Sequence, residues 1–146
     1  MAIVTFDTCI FIRYRLFMGR PKGFRMTAVV LHELTVGAED IHEIRRIEAQ
    51  RRDYERDGIL LVPNGEDWFL AGKVLNSLQR GRKSANKGKT PKLSSEESRR
   101  IMRDVLIART ARRENALLVT DNVTDFETIR AFCKVRMVTG HEFFGA

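Results

Sequence analysis

The run Leu117-Leu118-Val119-Thr120-Asp121-Asn122-Val123-Thr124-Asp125-Phe126 places a short apolar strand, a carboxylate and the start of a helix one after another. Its apolar part predicts a strand over Ala116–Thr120 with Asp121 at the carboxyl end, followed by a short helix over Asp125–Phe132. The same sentence is written once more near the start of the chain. Ala2–Phe6 is a short β-rich run whose continuous hydrophobicity suits a strand covered on both faces, and Asp7 stands directly after it. In open α/β sheets, ligands bind outside the carboxyl ends of the strands near a topological switch point. Two carboxylates delivered there can face one another.

Working outward, strands and helices alternate. Cys9–Phe17 reads as helical and Arg20–Gly23 as a turn. Thr27 is a candidate N-cap for a helix over Ala28–Gly37, and a charged helix follows over Ala38–Arg56. Gly58 ends it. Ile59–Val62 reads as a second buried strand stopped by Pro63, and Asp67–Leu78 as a helix with Phe69, Leu70, Val74 and Leu78 at core spacing. Ser94-Ser-Glu-Glu97 is a capping-box signal for a long helix to about Glu114. Val135–Val138 predicts a last strand. This alternation implies a parallel sheet with helices on both faces.

Composition sets the outer bounds. The 146 residues fit one domain, and a chain of this length needs neither disulfide nor structural metal to bury a core. Two cysteines, Cys9 and Cys133, read as reduced thiols. No charge-free apolar run approaches the ~18–20 residues of a membrane span, and the apolar start lacks the basic flank of a signal peptide, so a soluble, cytoplasmic protein is expected. There is no GxGxxG, P-loop, GxSxG or paired CxxC, and His32, His42 and His141 have no metal-ligand spacing. Cys9 has no histidine placed to activate it as a nucleophile. The formal net charge of +7 favours polyanionic partners. It concentrates in Arg80, Arg82, Lys83, Lys87, Lys89 and Lys92 with no acid between them, which reads either as a basic loop at about 80–93 that tracks a phosphate backbone or as a solvated linker between helices.

Two further acids fall on helical faces expected to point inward. Around Glu33, Val30, Leu34 and Gly37 stand at −3, +1 and +4; around Asp104, Ile101, Ala108 and Ala111 stand at −3, +4 and +7. A carboxylate aimed into a core is costly unless it is paired or binds a metal. Each acid alone has an ordinary explanation as a cap, turn or buried ion pair. Together Asp7, Glu33, Asp104 and Asp121 suggest convergence on Mg²⁺ or Mn²⁺, hard cations that take oxygen ligands.

These residues resemble the PIN-domain nucleases, and within them the VapC toxins of prokaryotic toxin–antitoxin pairs. The resemblance runs over Val4–Thr8, Thr27–Ala38, Asp104–Ala108 and Leu118–Phe126 and so spans nearly the whole chain. It implies a three-layer α/β/α sandwich around a parallel sheet and a Mg²⁺- or Mn²⁺-dependent endoribonuclease giving a 5′-phosphate and a 3′-hydroxyl. By resemblance Asp7, Glu33 and Asp104 are the core ligands, Asp121 ranks first as the fourth acid, and Asp125 is the alternative. Thr120 and Asn122 would support the site by hydrogen bonds, and Thr8 would contact a metal-bound water or a phosphate. Arg and Lys of the 80–92 stretch, with Arg112 and Arg113 behind them, would hold RNA. A homodimer and a cognate antitoxin that blocks the site are implied as well. Arg109 departs from the pattern, standing where a small residue is common. The rival reading is a nucleic-acid-binding or protein-interaction module of the same fold with no catalytic turnover.

Overall fold

The computed structural model describes residues 2–15, 20–85 and 92–145. Five strands, β1 (Val4–Phe6), β2 (Phe24–Thr27), β3 (Leu60–Leu61), β4 (Leu117–Val119) and β5 (Met137–Val138), form one sheet in the order β3-β2-β1-β4-β5. Every pairing is parallel. Seven helices are described: α1 (Thr8–Arg13), α2 (Ala28–Val36), α3 (Ile41–Arg56), α4 (Gly65–Ala85), α5 (Ser95–Arg113), α6 (Val123–Thr128) and α7 (Gly140–Phe144). They flank the sheet as outer layers, so the architecture is the three-layer α/β/α sandwich expected from the sequence.

β1 is central because nothing in it asks for water. Val4, Thr5 and Phe6 are all buried, and Val4 pairs with Phe24 on one side and Leu117 on the other. The turn at Gly23 lets β2 reach that position. Gly23 has φ +78°, and a Cβ there would lie 2.2 Å from the carbonyl oxygen of Ala2, so only glycine fits. Phe6 anchors an aromatic cluster with Phe11, Phe24, Phe143 and Phe144 at centroid distances of 5.4–5.8 Å. The last two come from α7, which folds the chain back over β1.

The helix signals in the sequence act as read. Thr27 caps α2, its hydroxyl accepting from the Val30 amide at 3.1 Å. Ser94 and Glu97 form the reciprocal capping box of α5. Other elements differ. No helix was expected after the last strand, where α7 lies, and α6 spans Val123–Thr128 rather than Asp125–Phe132. β2 was not expected, since Phe24-Arg-Met-Thr27 has no apolar run of its own and becomes a strand only by pairing with β1 and β3. The basic loop expected from residue 80 is a correction: α4 continues to Ala85, carrying Arg80, Arg82 and Lys83 in helix. Straight-chain and Ala residues favour helix there, a single Gly81 costs only ~1 kcal/mol, and Arg82 is held by Glu97 of α5 at 2.9 Å. Lys87 and Lys89 lie outside the described residues, as does the far end of the helix expected over Cys9–Phe17.

Asp67 is 0 % exposed at the start of α4 and holds α4 to α5. Its carboxylate accepts from Arg109 Nε at 3.1 Å and from Arg113 Nη2. It also caps its own helix reciprocally with Asn64. Arg109, the residue at odds with the PIN pattern, is thus one jaw of this clasp.

Candidate active site at the carboxyl ends of the strands

The strand order reverses between β1 and β4. At such a junction an open α/β sheet leaves a crevice beyond its strand ends. Asp7 follows β1 and is 1 % exposed. It is also the N-cap of α1, with Oδ1 accepting from the Thr8 amide at 2.8 Å. Its Oδ2 accepts from the Thr120 hydroxyl at 2.7 Å, and that same hydroxyl oxygen accepts from the Asn122 amide at 3.0 Å. One threonine therefore ties the acid of β1 to the turn after β4. The side chain of Asn122 makes no cap bond, so its contribution is made by its backbone. The Cys9 thiol lies 3.7 Å from Asp7 Oδ2. Burial first, and then the Asp7 charge, push its pKa up, so it stays protonated and is a poor nucleophile.

Glu33 projects from α2 and Asp104 from α5. Glu33 Oε1 accepts from the Thr8 hydroxyl at 3.0 Å, and its Oε2 accepts from Arg103 Nη1 at 2.8 Å. Arg103 Nε donates in turn to Asp104 Oδ1 at 3.3 Å. Asp104 is 2 % exposed. Burial pushes its carboxyl up to about 7; Arg103 pulls it down, while the charges of Asp7 and Asp125 push it further up. Such a value belongs to a carboxylate short of positive charge.

Asp121 and Asp125 divide. Both oxygens of Asp121 are engaged away from the other acids: Oδ2 accepts from Arg13 Nη1 at 2.7 Å and Oδ1 from the Gly140 amide at 2.8 Å. The backbone can come that close because residue 140 is glycine; a Cβ there would lie 2.2 Å from the Tyr14 ring. Asp125, in the first turn of α6, shares with Asp104 the lining of a cavity of about 210 Å³ that Leu78, Leu93, Ile101 and Arg100 also border. The geometry thus sets Asp125, ranked second from sequence, beside Asp104. A larger groove of about 720 Å³, lined by Phe11, Arg20, Ile47 and Tyr54, holds none of these acids.

The basic residues divide into exposed and paired ones. Arg80, Lys83 and Lys92 are exposed, Arg82 pairs with Glu97, and Arg113 is committed to Asp67. His32, His42 and His141 lie at the surface. Sequence reasoning missed Arg13 and Arg103, the two cations that meet the acids. The only signal for Arg103 was its place next to Asp104; a long flexible side chain does not declare in sequence which way it turns.

Among the described residues, no three acid, histidine or cysteine side chains stand in an arrangement that could hold a metal ion. The chemistry of the donor set nevertheless fits a hard divalent cation: carboxylate oxygens from Asp7, Glu33 and Asp104, with the Asp104 carboxyl pushed up chiefly by its burial. A guanidinium currently supplies the positive charge there.

No family model and no curated protein matches the sequence. Solved structures do. The structure of FitAB bound to an IR36 DNA fragment matches over 94 % of this chain and 94 % of that one, at 14 % identity and a TM-score of 0.53. VapBC-1 from nontypeable Haemophilus influenzae matches over 94 % and 97 %, at 22 % identity and a TM-score of 0.50. The chain shares their fold. DNA-bound VapBC from Salmonella typhimurium is also similar, at 20 % identity over 95 % and 98 % with a TM-score of 0.49. The PIN-like sandwich read from the sequence is the fold shared with the FitAB and Haemophilus influenzae VapBC-1 structures.

Proposed function

We propose that this chain is a Mg²⁺- or Mn²⁺-dependent endoribonuclease, the toxin of a toxin–antitoxin pair, acting in the cytoplasm. The observation that carries this reading is the pair of buried acids at the switch point, Asp7 and Asp104, with Asp104 at 2 % exposure and a carboxyl pushed up to about 7. Asp7, Glu33 and Asp104 would hold the cation, with Asp125 as the fourth acid in preference to Asp121. A divalent ion bound there supplies the charge that activates water and neutralises a departing phosphodiester oxygen.

The chain's own residues do the positioning. Thr8 and Thr120 fix Asp7 and Glu33 by hydrogen bonds, so the carboxylates meet a ligand with little reorganisation. Arg80, Lys83 and Lys92 bind the RNA backbone from outside the crevice, with Arg112 a weaker contributor; Lys87 and Lys89, assigned the same role from the sequence, lie outside the described residues. The fold shared with VapBC and FitAB complexes supports a cognate antitoxin as the partner, and a homodimer is the proposed assembly. No helix among the described residues is long and apolar enough to cross a membrane.

The test is cleavage of a panel of single-stranded and structured RNAs in Mn²⁺ and in Mg²⁺, with EDTA as control. Discrete products that vanish in EDTA and with Asp104→Asn are expected. Cleavage that persists at the wild-type rate in Asp104→Asn would sink the site assignment. A second reading, a binding module without turnover, draws on one observation: Arg103 already pairs with Glu33 and Asp104 of the cluster. It predicts RNA affinity unaffected by EDTA and no products.

A further inference from the structure

Two carboxylates grip one guanidinium, and a third adds its charge. Arg103 reaches Glu33 from α2 at 2.8 Å and Asp104 on its own helix at 3.3 Å, and it feels the charge of Asp7 from the end of β1 as well. These are the acids proposed to hold the divalent ion. Guanidinium is always charged and offers a rigid fork of donors, so it satisfies carboxylates from two helices at once. Its side chain is 26 % exposed, against 3 % for that of Asp104, so the head has a route to water that the acid lacks. The clasp at Asp67 contrasts with it, because there two arginines converge on one carboxylate and leave no deficit.

We propose that Arg103 is a built-in competitor for the metal: its guanidinium occupies the cation position between Glu33 and Asp104, and divalent ions load only as it swings out. This inference rests on the metal-centre reading above. A site whose competent form is only partly populated binds with its affinity reduced by that fraction. Arg103 therefore sets the divalent concentration at which the cluster fills.

The experiment is Mn²⁺ binding by calorimetry on the full chain, comparing wild type, Arg103→Gln, Arg103→Lys and Asp7→Asn. Arg103→Gln should bind about tenfold more tightly or better, since it removes the competing charge. Arg103→Lys keeps a charge and should stay within about threefold of wild type. Asp7→Asn should bind weakest. Equal affinity in wild type and Arg103→Gln overturns the competitor role while leaving the metal centre standing. Absence of binding in all of them overturns both. The wild-type protein gives a check that needs no stable variant. In a Mg²⁺ titration followed by NMR, the Arg103 Nε–H signal, assigned by its loss in Arg103→Lys, should move to the position of a solvent-exposed arginine. A signal that stays put while Mg²⁺ binds overturns the proposal.

Discussion

Burial pushes the Asp104 carboxyl up, and that gives metal-free protein a definite pH dependence. Its folded carboxyl is pushed up to about 7, above the ordinary 3.8 that the unfolded chain recovers. Between those values the folded protein keeps a proton that the unfolded chain gives up. Its contribution is therefore fully present below about 3.8 and is lost as pH rises through 7. Asp104→Asn removes the penalty. In EDTA the variant should be more stable than wild type at pH 8, by on the order of 2 kcal/mol, and should gain much less at pH 5. Calorimetric melting at the two pH values decides it; equal gains at both would mean that the benefit is packing rather than charge. At this scale the sequence was informative about acids and silent about their partners. Asp7 and Asp104 could be placed because a strand end and an apolar helix face each fix a direction. Arg13, Arg103 and the choice between Asp121 and Asp125 depend on side-chain reach across elements, which spacing does not encode.

Helix termini were the most readable elements. The caps at Thr27 and Ser94 are local chemistry, set by a hydroxyl and an amide three residues apart. β2 was unreadable for the opposite reason, being a strand made by its neighbours. α4 was cut short in the sequence reading because basic residues and a glycine look like a loop until α5 is seen alongside. The α4–α5 pair makes its own prediction. Asp67→Ala should destabilise the fold by about 2 kcal/mol, below the 3–5 usual for breaking a buried pair, because both arginines can turn to water. Denaturant unfolding of Asp67→Ala against Asp67→Asn measures it. A loss under about 0.5 kcal/mol, the range of ordinary surface changes, would show that the clasp is not what joins these helices.

The whole molecule carries a formal charge of +7, yet its candidate catalytic crevice is acidic. RNA affinity on this reading comes from outside the crevice and should fall steeply with salt. Arg80→Ala and Lys83→Ala should each weaken binding of every RNA alike and reduce the salt slope by about one if each meets a phosphate. Filter-binding isotherms at several ionic strengths report both numbers, and an unchanged slope would move the RNA track off α4. Sheet order was open in the sequence, since alternation predicts a parallel sheet but not which strand is central.

That centrality reaches back to synthesis. β1 pairs with β4 through Val4 and Leu117, and more than a hundred residues separate them. A ribosome adding ~5–20 residues per second takes several seconds to cover that distance. Throughout that interval the first strand has at most β2 beside it and an unpaired flank where β4 belongs, and Asp7 has no Thr120 to hold it. A nascent chain therefore cannot assemble the crevice until β4 and its following turn have emerged, and what emerges before then is an open strand edge without a finished site.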